Sequence, residues 1–238
     1  MFKFIKGILK KITKIKYKVF FTKNFRLFFA SYFLIFSGFV LTILSFGSTI
    51  ASEYNYYLNK VLRTNYVLEE NDSKSRQSWL NDLIKGQTVS LNPVTQNSIV
   101  IEKIGVSAPI ILNVSVVDEN EYFDALKKGV AHAVGKSYPG EIGNVYLFAH
   151  SSIEFWKMGP YATVFNQIRR LENGDIVHIF YKNKKYDYVV FEKKVVSGFD
   201  LLPYEAQYNE SILTLQTCDP PGTQLNRLIV KARLINDN

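Results

Sequence analysis

SILTLQTCDPPGTQLNRLIVKARLI, residues 211–235, reads as two apolar strands joined by a short polar loop. The first strand stops at Cys218, because Asp219-Pro220-Pro221-Gly222 follows and two prolines cannot continue a hydrogen-bonded ladder. The second strand opens at Arg227. If 219–226 is a loop between neighbouring strands, Cys218 and Arg227 lie side by side at one rim of a sheet. A thiol at a strand end beside a loop is accessible, whereas a core thiol sits in mid-strand. A guanidinium next to it favours the thiolate and can stabilise a developing oxyanion. The plain alternative is a solvent-facing arginine at a strand start, since exposed arginines are common.

Upstream the same texture continues. SIVIEKI (98–104) and APIILNVSVV (108–117) are rich in β-branched residues, as strands are. Asp118 is placed to cap a short helix over EYFDALKKG, with Glu121 three positions on completing a capping box. NVYLFAH (144–150) is a buried type of strand, and YATVFNQIRRL (161–171) a helix or helical turn ended by Asn173-Gly174. DIVHIFY and KYDYVVFEKKVV alternate about a polar KNK turn and predict a hairpin. Many short strands with only small helices predict an all-β, closed or nearly closed barrel.

The chain has a single cysteine, so no internal disulfide can form. Cys218 is an inert buried thiol, a dimer bridge or a nucleophile. Of the three histidines, His150 ends the strand NVYLFA and enters a polar loop, the same kind of place as Cys218. A Cys–His pair is one way to make a reactive thiolate near neutral pH. His132 falls in the loop after the capped helix, where it lines the site or caps a turn. His178 lies inside a strand run and reads as structural or surface.

The N-terminal quarter is of another kind. The net charge is +8, but residues 1–26 carry nine Lys and Arg and no acid, while the remainder holds 20 basic and 21 acidic residues. The basic excess therefore belongs to a tail, not to the folded domain, and argues against a nucleic-acid partner. Residues 27–51 hold no charge at all. As a helix they span roughly 37 Å, enough to cross a bilayer. The charge asymmetry puts the N-terminus in the cytoplasm and the rest outside. Tyr54, Tyr56 and Tyr57 suit an aromatic belt at the outer interface. A cleaved signal peptide is the rival reading, but its apolar core is normally about 7–15 residues. Residues 52–92 read as a stalk or linker, with Trp79, Leu80, Leu83 and Ile84 forming a short docking helix and Asn92-Pro93 marking the boundary of a β-rich domain over 93–238.

Thr214-Leu215-Gln216-Thr217-Cys218 matches the TLxTC signature of sortases, and Arg227-Leu228-Ile229-Val230 resembles the Arg-bearing strand that follows it. IEKIGVSAPI resembles the family's first-strand segment, and ALKKGVAHAVGKSYPGEIGNVYLFAHS (125–151) its approach to the catalytic histidine. The likeness covers most of 98–234, in the right order, downstream of an N-terminal anchor. It implies an eight-stranded sortase-type β-barrel. It further implies Cys218 as nucleophile, His150 as proton-transfer partner and Arg227 as oxyanion stabiliser. Thr217, Ala149, His132 and Ser151 are the implied substrate-binding neighbours. Cys218 would attack the Thr–Gly bond of a C-terminal LPxTG-like sorting signal on a secreted protein. An amine, from a cell-wall precursor or a pilin lysine, would release the thioacyl intermediate. The reactive form in the family is a thiolate with a protonated histidine, so His150 acts first as general acid. Two positions depart from the pattern: Ala149 stands where the residue before the histidine is usually Gly, and Ser151 where a basic or aromatic residue is common.

Other readings stay open at this point. Hydrolysis by a surface cysteine peptidase uses the same acyl intermediate. A peptidoglycan L,D-transpeptidase normally carries a Ser-x-Gly-Cys-type motif, which does not occur here. A membrane-anchored binding domain with an inert thiol is the non-enzymatic option. No cofactor is expected, and no acidic cluster suggests a calcium or other metal site.

Overall fold

The computed structural model describes residues 2–62, 64–68, 88–151 and 161–237. It divides into two compact units, Met1–Ser45 and Phe46–Asn238. Helix α1 (Phe2–Val61) passes through both. In the first unit its stretch Leu27–Leu44 has a mean hydropathy of 2.2 and none of it is buried, so it is long and apolar enough to cross a bilayer.

The second unit is a closed barrel. Its strands are β3 (Ser98–Ile101), β4 (Val106–Val114), β5 (Val130–Ala133), β6 (Gly143–Phe148), β7 (Ile176–Tyr181), β8 (Lys184–Ser197), β9 (Ser211–Asp219) and β10 (Asn226–Asp237). Around the barrel they run β10-β8-β7-β3-β4-β5-β6-β9, and β9 closes on β10. Closure removes the open edges that make isolated sheets prone to aggregate. Six of the neighbouring pairs are antiparallel, while β4 with β5 and β6 with β9 are parallel. Ile99, Ile101, Leu126, Leu147, Phe165, Ile179, Tyr188, Leu213 and Leu215 are fully buried in the core.

The expected hairpin is present. β7 and β8 meet at Lys182-Asn183, both with positive φ (51° and 64°), the geometry of a two-residue type I′ turn. Between the parallel strands β4 and β5 lies helix α2 (Glu119–Lys128). Asp118 caps it by accepting from Asn120 N and Glu121 N. The expected capping box is altered: the Glu121 carboxylate accepts from Ser115 N, and the Ser115 hydroxyl accepts from Asp118 N. At the other end Gly129 passes so close to β4 that a Cβ would stand 2.3 Å from the Pro109 carbonyl oxygen. The stretch 161–171 is a turn followed by a 3-10 helix, Asn166–Arg170.

Within 52–92, Ser52, Glu53, Tyr56, Leu68 and Asn92 bond to or pack on the barrel domain. Ser52 receives hydrogen bonds from Asn166 and Gln167, and Glu53 pairs with Arg170 at 2.7 Å. The Arg170 guanidinium also lies over the Tyr56 ring at 3.8 Å. β1 (Asn65–Leu68) and β2 (Thr88–Leu91) form a separate two-stranded parallel sheet. The expected helix around Trp79, Leu80, Leu83 and Ile84 lies outside the described residues.

The pair β6–β9 is tied internally by polar side chains. Thr214 donates to Asn144 Oδ1 at 2.8 Å, and Asn144 Nδ2 donates to the Pro203 carbonyl at 3.0 Å, all in the buried interior. Leaving one such buried partner unsatisfied costs about 1–3 kcal/mol. These bonds therefore hold the register of two strands that are distant in sequence.

Candidate active site

Cys218 and Arg227 are register partners on β9 and β10. Directly opposed residues of an antiparallel pair project to the same face, so the thiol and the guanidinium share one side of the barrel rim. Nη1 of Arg227 donates to the carbonyls of Gln224 and Asn226, both at 3.1 Å. The fork is thus fixed from the loop side. Asp219, next to Cys218, faces Arg169 at 3.7 Å.

His150 reaches the same rim by parallel pairing. β6 follows β9 in register up to Phe148 opposite Gln216, and Ala149 N then donates to Gln216 O at 3.1 Å. Thr217 Oγ1 donates to Ala149 O at 2.8 Å in the buried interior. His150 and Cys218 therefore each stand one residue beyond a directly bonded pair. The His150 ring is held by other rings: it stacks on Phe123 (6.0 Å, 25°) and meets Tyr122 edge-on (6.1 Å, 80°). Tyr122 in turn stacks on Phe148 at 5.2 Å. His150 Nε2 is buried and has no hydrogen-bond partner among the described residues.

Burial dominates the electrostatics of the site. Burial lowers His150 from its ordinary 6.5 to about 4. Burial raises the Cys218 thiol, against a smaller opposing pull from Arg227. Both effects favour the uncharged partner, so thiol and neutral imidazole dominate near neutral pH and the thiolate–imidazolium pair is a minority form. Tyr122 is pushed up to about 12, first by burial and then by the Cys218 charge. The expected consequence is measurable. Alkylation of Cys218 by iodoacetamide at pH 7 runs slower than that of an exposed cysteine peptide, and it keeps rising beyond the ordinary thiol pKa of about 8.5. A rate already level at pH 7 would mean that the thiolate is stabilised in the resting site.

The other residues expected to bind substrate have different settings. Thr217 and Ala149 are buried and bond to each other, joining the two strand ends. Ser151 is fully buried, with no hydroxyl partner among the described residues. His132 is not in a loop but on β5, paired with Leu147. It is fully buried, bonded through Nε2 to Ser137 O at 3.0 Å and stacked on Tyr138 at 5.1 Å. The bond to Ser137 O spans the turn after β5. His178 is structural, with Nδ1 2.6 Å from Asp187. Sequence reasoning did not single out Tyr122 and Phe123, which lie against His150, or Arg169, which faces Asp219. The aromatic pair was visible only as YF in a capped helix, which is an ordinary packing signal. Among the described residues no group of three or more His, Cys, Asp and Glu side chains could hold a metal.

Comparison with known proteins agrees with this architecture. A family model described as the Sortase domain matches residues 99–235. Sortase D of Bacillus subtilis (strain 168) is 29% identical over 120 residues, which make up 50% of this chain and 52% of that protein. The chain thus aligns with about half the length of this curated relative. Among solved structures, a Clostridium perfringens Sortase D5 transpeptidase is 30% identical with a TM-score of 0.48, covering 59% of this chain and 78% of the other. Clostridium perfringens sortase C with the C-terminal cell wall sorting motif is 28% identical with a TM-score of 0.48, covering 58% and 69%.

Proposed function

Because the chain belongs to the sortase family, whose members are cysteine transpeptidases, we propose that it cleaves a C-terminal LPxTG-like sorting signal on secreted proteins and transfers the new carboxyl end to an amine. The acceptor is a cell-wall precursor or a pilin lysine. The observation that carries this reading is the pairing of Cys218 with Arg227 across β9 and β10, at the rim that His150 enters beside the Thr217–Ala149 bond.

The roles follow from the chemistry. Cys218 Sγ, as thiolate, bonds to the threonyl carbonyl carbon. The developing oxyanion is met by the Arg227 donors not engaged by the loop carbonyls. Protonated His150 gives its proton to the glycyl nitrogen as the C–N bond breaks, leaving a thioacyl enzyme. An incoming amine then attacks the same carbonyl carbon and yields a proton to His150. The C–S bond breaks and the thiol is restored. Thr217 and Ala149 join the strand ends that carry Cys218 and His150, and Ser151 is buried beside them.

Residues 27–51 act in this reading as an uncleaved signal anchor in the cell membrane, with 1–26 cytoplasmic and the barrel domain outside. A single experiment tests reaction and sidedness together. Right-side-out membrane vesicles bearing the full chain are given a panel of sorting-signal peptides with and without small amines. Cleavage between Thr and Gly is expected, with an acyl adduct on Cys218 by mass spectrometry and an amide product when amine is present. Inside-out vesicles remain inert. Cleavage confined to inside-out vesicles would reverse the topology, and no cleavage of any peptide in either would sink the proposed reaction.

A further inference from the structure

In sites that pair a nucleophile with a histidine, a third polar group usually orients the ring. Here none does so: among the described residues no carboxylate or carbonyl bonds to the His150 side chain, and Nε2 is an orphan in the interior. The backbone beyond Ala149 is only loosely tied, since Phe165 N reaches His150 O at 3.4 Å. What touches the ring is aromatic. Phe123 covers one face and Tyr122 meets it edge-on. Tyr122 is itself pressed flat on Phe148 and meets Phe123 edge-on at 5.5 Å. The helix carrying this pair is not a loose lid. It is capped by Asp118, buries Ala125 and Leu126, and leads into the close approach at Gly129.

We propose that Phe123 and Tyr122 are positioning residues that hold the His150 ring toward Cys218 and keep water off the thioacyl bond, so that α2 sets how the acyl enzyme divides between amine and water. This rests on the reaction proposed above. The two fates are chemically parallel. Amine or water attacks the same carbonyl carbon, His150 takes its proton, and the C–S bond breaks. They differ in that water needs no binding site, only access, so a packed apolar wall discriminates against it. Among the described residues the one ionisable side chain in ring contact with His150 is Tyr122 from α2, and Tyr122 in turn feels the charges of Cys218 on β9 and Arg227 on β10. Among the described residues burial is what lowers the imidazole, with no carboxylate beside it to raise it.

The test uses the full chain and the variants Phe123→Ala, Phe123→Tyr and Tyr122→Phe. For Phe123→Ala the far-ultraviolet spectrum is unchanged, and turnover falls on the order of 10–100-fold through lost alignment. The hydrolysed share of product rises several-fold, and His150, followed by NMR titration, moves from about 4 toward its ordinary 6.5. Phe123→Tyr and Tyr122→Phe, which keep the rings, restore or retain both the product ratio and the titration. A folded Phe123→Ala enzyme with the parent's product ratio and titration overturns the proposal. If Phe123→Ala does not fold, Phe123→Leu replaces it and is read by the same two measurements. If the parent forms no acyl enzyme with any peptide, the transpeptidation reading fails on its own. The NMR titration still decides the clamp, and an unshifted His150 in the variant refutes it.

Discussion

Replacing Cys218 by Ala removes transfer and hydrolysis together, a loss on the order of 10⁶ in turnover if the thiol is the nucleophile. No other cysteine exists to substitute for it. The fold survives, because the thiol sits half-buried at the end of β9 and its register is held elsewhere. Thr214, Thr217 and Asn144 carry the cross-strand bonds, and none involves Sγ. The melting transition therefore shifts by no more than about 1 kcal/mol of stability. Peptide binding persists without an acyl adduct. A folded variant that still forms transfer product would remove Cys218 from the mechanism and leave it an inert thiol.

Arg227 separates charge from geometry. A fixed donor aimed at a developing oxyanion is worth about 3–4 kcal/mol, a few hundred-fold in rate. The two loop carbonyls that engage Nη1 orient the planar fork. A lysine ammonium keeps the charge but has no plane to orient. Arg227→Lys should therefore lose most of the activity, and Arg227→Ala somewhat more, with KM changing less than kcat. Neither variant changes stability much, since the side chain is only half-buried at the rim. Alkylation of Cys218 by a small reagent falls less than turnover does, because that reaction develops no oxyanion. Near-parental activity for Arg227→Lys would reduce the role to charge alone. Full activity for both variants would make Arg227 an ordinary surface residue.

How much of this could be read from sequence depended on the kind of pairing. The Cys218–Arg227 neighbourhood was legible because an antiparallel pair folds back through one short loop, and Asp219-Pro220-Pro221-Gly222 marks where the strand ends. The β7–β8 hairpin was legible for the same reason. The strand-end position of His150 marked it as the best-placed partner for the thiol, but that its strand ends at the same rim as β9 was not deducible from residues alone. It depends on β6 lying parallel to β9 across more than sixty residues of intervening chain, and only the family resemblance supplied it. His132 was misplaced because β5 is four residues long and pairs with β4 through a register shift, so it leaves no alternation to read. The aromatic pair on α2 was hidden by its ordinariness: in sequence, a Tyr-Phe step on a capped helix looks the same whether it packs on a core or on a functional imidazole.

The register between β9 and β10 has a consequence for how such a site diversifies. Cys218 and Arg227 face each other because the strands behind them, from Thr217–Leu228 to Ile212–Arg233, are locked in step. The strand pairs of that lock do not include residues 220–223, which lie past the last paired residues, whereas Gln224 and Leu225 are engaged, their carbonyls accepting from Arg227 Nη1 and Gly198 N. Insertions within 220–223 leave Cys218 opposite Arg227, and the Gln224 carbonyl on the Arg227 fork, while remodelling the surface beside them. The fold thus separates the part of the enzyme that must stay constant from a part that is free to drift. New substrate preferences can be explored there without first surviving a loss of chemistry.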